Sequence, residues 1–209
     1  MIKLFKILSQ MSSVKRYSHS KLLSPEDVMQ HTGCVSVIAC WILGKLRESD
    51  ILDQIGWTEG EELALFRSIA LHDMDEVSLG DIPRPTKYAT ADLRELIHKI
   101  ETTSTRQIIK DFDLPSDWFD FWNESKCGRA GLILVASDIM SVIYKKWEER
   151  LMGNQLFDPK IQMIDSMLTE MECMSDNFLS KFALAESDRE FILFIRSILD
   201  GAKGVMLVD

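Results

Sequence analysis

The dipeptide His72-Asp73 lies in the run Ala70-Leu-His72-Asp73-Met-Asp75-Glu76-Val-Ser-Leu-Gly80-Asp81-Ile-Pro83. An imidazole nitrogen and a carboxylate oxygen are both good donors to a divalent cation. Adjacent residues on a helix point about 100° apart. The pair can therefore share one ion only at a helix end or in a tight turn, and further ligands must come from other helices. Two residues answer that demand. His31 opens the helical stretch His31-Thr-Gly-Cys-Val-Ser-Val-Ile-Ala-Cys-Trp-Ile-Leu43, and Asp138 lies in the almost wholly apolar window Gly131–Tyr144. A charged Asp in such a window costs several kcal/mol unless it is paired or bound to a cation. Each residue alone also fits a plainer role, a hydrogen-bonded core His or an Asp that partners a buried Arg or a backbone N–H. The four together, with the acid Glu76 one turn beyond the pair, are far more specific.

This pattern resembles the H…HD…D signature of HD-domain metal-dependent phosphohydrolases. More narrowly, it resembles the bacterial 5'-deoxynucleotidases of the YfbR type. The resemblance is carried by Arg16-Tyr17, Val28-Met29-Gln30-His31, and His72-Asp73-x-x-Glu76-Val77-x-x-Gly80-Asp81-x-Pro83-x-Pro85-x-Lys87-Tyr88. Asp138, Trp147-Glu148-Glu149 and Gly153-Asn154 complete it. It spans roughly Val14 to Asn154. The chain departs from the family at Tyr17, where a Trp is usual, and at His19, near which the family has an apolar residue. The smaller Tyr17 leaves more room, which implies looser discrimination against ribonucleotides.

The resemblance implies an all-α HD-domain bundle with a catalytic divalent-metal site held by His31, His72, Asp73 and Asp138. Two imidazoles and two carboxylates around one open-sided cation suit catalysis rather than a structural site. Mixed N/O ligation accepts Zn²⁺, Mn²⁺, Co²⁺, Ni²⁺ or Fe²⁺ and favours Mg²⁺ less. Phosphate-ester cleavage also needs a proton for the leaving oxygen. Glu76 is the candidate general acid/base, and the resemblance marks Asp81 as an active-site residue. Arg16 offers a planar fork to phosphate and Lys87 a point charge, although both also fit ordinary surface cations. Tyr17 suits a base or sugar face, Asp81 a sugar hydroxyl, and Pro83 the border of that pocket. Asp75 reads as a solvated acid.

Composition sets outer bounds. The chain has 209 residues, 46% hydrophobic and 27% charged, with a formal net charge of −9. That length suits one domain over 1–209, with a core at 14–154 and C-terminal helices at 155–209. The acidic balance argues against binding a nucleic-acid polymer, which needs a phosphate-neutralising basic surface. Cys34, Cys40, Cys127 and Cys173 form no Cys-x-x-Cys pair. Their apolar helical settings read as buried free thiols in a reducing compartment. The stretch Met1–Leu8 is too short for a secretory signal, and no segment approaches a membrane span. A cytoplasmic protein is the expectation.

Helical periodicity runs through the chain. A first amphipathic helix is predicted over 2–11 and a loop over 13–24. Ser24-Pro25-Glu26-Asp27 reads as a helix start with Ser24 as N-cap. Thr58-Glu-Gly-Glu61 reads as a capping box. Gly80, Pro83 and Pro85 predict a structured loop over 78–88. Further helices are predicted over 91–111, from Pro115, over 131–152 with a stop at Gly153-Asn154, over 159–182 and over 187–199. Met163, Met167, Met171 and Met174 recur at helical spacing, as in adaptable core packing. The cluster Trp118, Phe119, Phe121, Trp122 reads as core or as a dimer contact. The family resemblance implies a homodimer.

Three functions follow in order. The first is hydrolysis of a deoxynucleoside monophosphate to deoxynucleoside and phosphate. The second is a deoxynucleoside triphosphohydrolase of the phage dATP type, which extra cations at Lys15, Arg84 and Lys87 would favour. The third is a non-catalytic nucleotide-binding protein, which loss of a ligand or of Glu76 would favour. The chain keeps all of these residues.

Overall fold

Helix-start chemistry sets the elements that carry the cluster. The computed structural model describes residues 1–157, 169, 171 and 186–206. Asp27, in extended conformation, accepts the Gln30 N–H at 3.0 Å while the Gln30 side chain accepts the Asp27 N–H at 3.0 Å. This reciprocal box starts α2 (Val28–Glu48). The expected cap at Ser24 is thus three residues early. The Ser24 backbone is engaged elsewhere, its N–H by Glu149 and its carbonyl by Lys145. Thr58 and Glu61 form the expected capping box of α4 (Glu59–Leu71). Upstream lies α1 (Ile2–Met11), and α3 (Ile51–Gln54) separates α2 from α4.

The predicted loop over 78–88 is largely two single helical turns, α5 (Glu76–Leu79) and α6 (Arg84–Lys87). Gly80, at φ +70°, breaks the first. Pro85 sits in the first turn of the second, where its missing N–H costs nothing. Then come α7 (Ala91–Phe112), α8 (Trp118–Asn123), α9 (Gly128–Leu151) and α10 (Glu186–Met206). The start of α9 precedes the expected Gly131. At Gly131 a Cβ would lie 2.4 Å from the Lys126 carbonyl carbon, so only glycine lets the α8–α9 connection close over the helix. The helix predicted over 159–182, with Met163, Met167, Met174 and Cys173, lies outside the described residues; Met171 is buried. Among the described residues there is no strand, only an isolated bridge between Lys15 and Asp27. The fold is all-α.

Two apolar clusters hold these helices. The larger is built on α2, α3, α4, α9 and α10, from residues such as Ile42, Leu46, Ile69, Ile139 and Phe191. Helix α9 is buried on nearly every side over residues 131–143, as expected of a stretch apolar all round. The second cluster joins α1, α7 and α8 through Ile7, Met11, Ile108 and Trp122, and it takes in Leu71 and Met74. His72-Asp73 therefore sits at the seam, with Ile69 anchored in one cluster and its own neighbours Leu71 and Met74 in the other. Burial at about 25 cal/mol per Å² of apolar surface makes this anchoring stiff.

Of the two readings of the aromatic cluster at 118–122, the core one is seen: Trp122 is buried, and Trp118, Phe119 and Phe121 pack partly buried against the second core. One expectation is corrected. Cys40 and Cys127 are exposed and Cys34 is partly exposed. Cys40 falls on the outer face of α2, and Cys127 caps α9, so the buried-thiol reading fails.

Candidate metal centre and nucleotide cavity

Three helices deliver the four residues to one point. His31 comes from the first turn of α2, His72 from the C-cap of α4, and Asp138 from the middle of α9. Asp73 follows His72 in the turn that leads to α5. His31 Nε2 lies 3.2 Å from Asp138 Oδ1 and 3.4 Å from Asp73 Oδ2. His72 Nε2 lies 3.1 Å from Asp73 Oδ2 and 3.4 Å from His31 Nε2. Ligand atoms of His31, His72 and Asp138 all fall within 4.8 Å of one another.

Outer partners orient the rings. His72 Nδ1 is 2.8 Å from the Ile69 carbonyl, so it donates there and leaves its Nε2 lone pair facing inward. His31 Nδ1 faces Ser141 Oγ at 3.3 Å and Glu26 Oε1 at 3.8 Å. Two ring nitrogens and two carboxylates converge: protonated, the rings attract the carboxylates, and deprotonated, the set offers a divalent cation two imidazole and two carboxylate donors. The donor set fits such an ion. Ser141 is three residues beyond Asp138, a one-turn spacing visible in sequence; Glu26 was read only as a helix-start acid.

The electrostatics follow from this crowding. Burial alone would raise Asp73, but His72, His31 and Arg16 hold it well below the usual carboxylate range. Asp138, partly buried, is held low by His31 and Arg16. Burial and then Arg16 push His31 down. Burial, followed by repulsion from Asp73, pushes Glu76 up to about 10. Among the described residues, Glu76 Oε2 is buried without a hydrogen-bond partner.

Asp75 is not the solvated acid expected from sequence. It is buried, accepts the Trp122 Nε1–H at 2.9 Å, and is pushed up to about 6 by burial and by Asp73. No sequence signal pairs these two residues, which come from separate elements.

The proposed substrate residues fall into two groups. Arg16 donates from Nη1 to Asp73 Oδ2 at 3.1 Å, beside the cluster. Tyr17, at φ +55°, donates its backbone N–H to Asp81 Oδ2 at 2.9 Å. Its ring meets Phe157 edge-on at 5.1 Å. Arg16, Tyr17 and Asp81 are thus brought together at the cluster. Lys87 instead pairs with Glu101. Pro83 precedes α6 next to Ile82. A cavity of about 670 Å³ starts at His72, Asp73 and Glu76 and runs past Ile82, Lys87, Arg94 and Trp122. That volume is in the range of small-molecule sites.

A family model for YfbR-like 5'-deoxynucleotidases matches residues 3–185. The chain belongs to this family. A 5'-deoxynucleotidase of Vibrio parahaemolyticus is 26% identical over 183 residues, covering 86% of this chain and 91% of the relative. One from Shewanella oneidensis is 24% identical over 194 residues, covering 87% and 94%. Among solved structures, an HD-domain phosphohydrolase from Listeria innocua superposes with a TM-score of 0.66 at 22% identity, covering 100% of this chain and 90% of that one. An HD phosphohydrolase of cyanophage S-2L, bound to dA and one catalytic Zn²⁺, superposes with a TM-score of 0.55 at 16% identity, covering 94% and 96%. These likenesses establish the HD-type fold. No described helix is long and apolar enough to cross a membrane.

Proposed function

We propose that this protein is a metal-dependent 5'-deoxynucleotidase that hydrolyses a deoxynucleoside monophosphate to deoxynucleoside and phosphate. The observation that carries this reading is the convergence of two imidazole Nε2 atoms and two carboxylates, of which His72 and Asp73 also line a cavity of small-molecule size together with Glu76, while Arg16 lies on Asp73. His31, His72, Asp73 and Asp138 would hold the ion. A divalent cation, when bound, supplies Lewis acidity toward phosphate and water. Zn²⁺, Mn²⁺, Co²⁺, Ni²⁺ and Fe²⁺ all suit these donors.

The chain's own residues divide the remaining work. Arg16, fixed by Asp73, presents its guanidinium to the phosphate. Glu76 holds a proton in the cavity wall and delivers it to the departing 5' oxygen. Tyr17 and Asp81 face the nucleoside, and Pro83 borders it. Lys87 adds positive charge, tempered by Glu101.

The cations that would favour a triphosphate are all engaged within the protein. Lys15 lies 3.7 Å from Asp27, Lys87 pairs with Glu101, and Arg84 stacks on the Tyr88 ring at 4.4 Å. The relatives, named 5'-deoxynucleotidases, support the monophosphate. The non-catalytic reading loses ground because neither a ligand nor Glu76 is missing.

For assembly, the exposed apolar residues Val37 and Trp41 on α2 and Tyr144, Trp147 and Leu151 on α9 suit a homodimer face. The two helices pack against each other. A cytoplasmic location completes the proposal.

The test is metal content together with phosphate release from dAMP, dGMP, AMP and dATP. Phosphate from the deoxynucleoside monophosphates is expected. Release of tripolyphosphate from dATP alone would assign the triphosphohydrolase instead. No turnover with any divalent cation would assign the binding protein. Sedimentation of the wild type beside Trp41→Glu tests the dimer.

A further inference from the structure

We infer that Glu149, with Asn154 and Lys145, is a positioning group that holds Arg16 and Tyr17 at the metal cluster. The inference rests on the reading that these two residues receive the nucleotide. Neither Glu149 nor Asn154 touches the cluster. Both act on the loop that carries Arg16 and Tyr17.

That loop, residues 15–27, has a closed neck. Lys15 and Asp27 form a bridge, the Arg16 N–H donates to the Glu26 carbonyl at 3.0 Å, and the Val28 N–H donates to the Val14 carbonyl at 3.2 Å. It has the form of a compact loop whose ends meet. A closed neck does not fix the far side, and Tyr17 occupies the left-handed region at φ +55°, which an aromatic residue adopts only under restraint.

The restraint is at the tip. Glu149 is fully buried. Its Oε2 accepts the Leu23 N–H at 2.8 Å and its Oε1 accepts the Ser24 N–H at 2.9 Å. Asn154 Nδ2 donates to Glu149 Oε2 at 2.5 Å and to the Lys21 carbonyl at 2.8 Å. Lys145 Nζ lies 3.3 Å from Glu149 Oε1 and donates to the Ser24 carbonyl at 2.6 Å. Gly153, at φ +88°, turns the chain so that the Asn154 N–H returns to the Glu149 carbonyl at 2.9 Å.

Helix α9 links this clasp to the cluster. Asp138, Lys145 and Glu149 follow at seven and four residues, about two turns and then one, so they share a stripe. The inner part of the stripe reaches His31, and the outer part grips the loop whose first arm lays Arg16 on Asp73 and Tyr17 on Asp81. One rigid rod therefore sets the distance between the ion and the residues that orient the nucleotide.

The decisive variant is Glu149→Gln. Each carboxylate oxygen takes two donors, so the amide nitrogen of Gln faces donors whichever way it turns. Hydrogen exchange reads the loop without any substrate, because the Tyr17 amide is bonded to Asp81 across the site. We expect faster exchange at Tyr17, Leu23 and Ser24 and unchanged exchange at Ile69 and Ile133. The KM for dAMP should rise about tenfold while kcat stays within about threefold, as for loss of binding geometry shared by ground and transition states. Metal stoichiometry should not change. Asn154→Ala, which leaves Glu149 in place, should move the same readouts less, and it carries the test if the first variant does not fold. Unchanged exchange at Tyr17 overturns the inference. So does a uniform rise in exchange with kcat falling at constant KM, the signature of lost folded protein. If the wild type hydrolyses no deoxynucleotide, the functional reading fails, and exchange at Tyr17 alone decides the clasp.

Discussion

At the residue scale, substitution can separate the proposed ligands from the proposed acid. Asp138→Ala should remove the ion and the activity together. The fall in metal affinity should exceed the roughly 10–100-fold that follows loss of an outer partner. Elemental analysis alongside turnover checks this, and full metal occupancy in the variant would take Asp138 out of the ligand set. Glu76→Gln should keep the ion and lower kcat by about 10²–10⁴-fold, the usual contribution of a positioned proton donor. Near-wild-type kcat at saturating dAMP would remove Glu76 from the mechanism. The four cluster residues were legible in sequence because an Asp in an apolar window and two His on core faces demand an explanation. Glu26, which faces the other side of His31 with Ser141, was not, because an acid just ahead of a helix is ordinary; Ser141 left only its one-turn spacing from Asp138. Asp75 was misread because its partner, Trp122, reaches it from a distant segment.

At the element scale, α9 carries Asp138, Ser141 and Glu149 and so couples chemistry to loop order. Its outer end gives the protein an acid-sensitive fastening. Burial would raise Glu149, but bonds from Asn154, Leu23, Ser24 and Lys145 lower it from 4.5 to about 2. A carboxyl depressed in the folded state stabilises fully above its unfolded pKa and loses that contribution as pH falls through the folded value. The stability difference between wild type and Glu149→Gln should therefore be about 2–3 kcal/mol at neutral pH, as for charged hydrogen bonds. It should shrink from pH 4.5 toward pH 2. Denaturant melts across that window check it; a difference independent of pH would show that the charge is not what matters. Element types were legible from periodicity and from the Thr58–Glu61 box. The start of α2 was not, because what displaces Ser24 from the cap is its engagement by Glu149 and Lys145, a contact across more than 100 residues that no local pattern encodes.

At the scale of the whole molecule, two cores meet along the His72-Asp73 turn, and α10 packs against α9 and α3. We propose that residues 1–209 form one cooperative unit rather than a domain with an appendage. Calorimetry should give a single transition, with calorimetric and van't Hoff enthalpies equal. Two resolved transitions would separate the C-terminal part. The unbroken course of α9 past both the His/Asp cluster and the loop also limits how this chain can change length. One residue inserted between Asp138 and Lys145 would advance the outer helix by about 1.5 Å and turn it by about 100°. Glu149 would then face away from the loop tip while every cluster residue kept its place. Insertions and deletions that leave function intact should therefore fall outside that span, in connections such as 113–117 between α7 and α8, where no register is shared with the site.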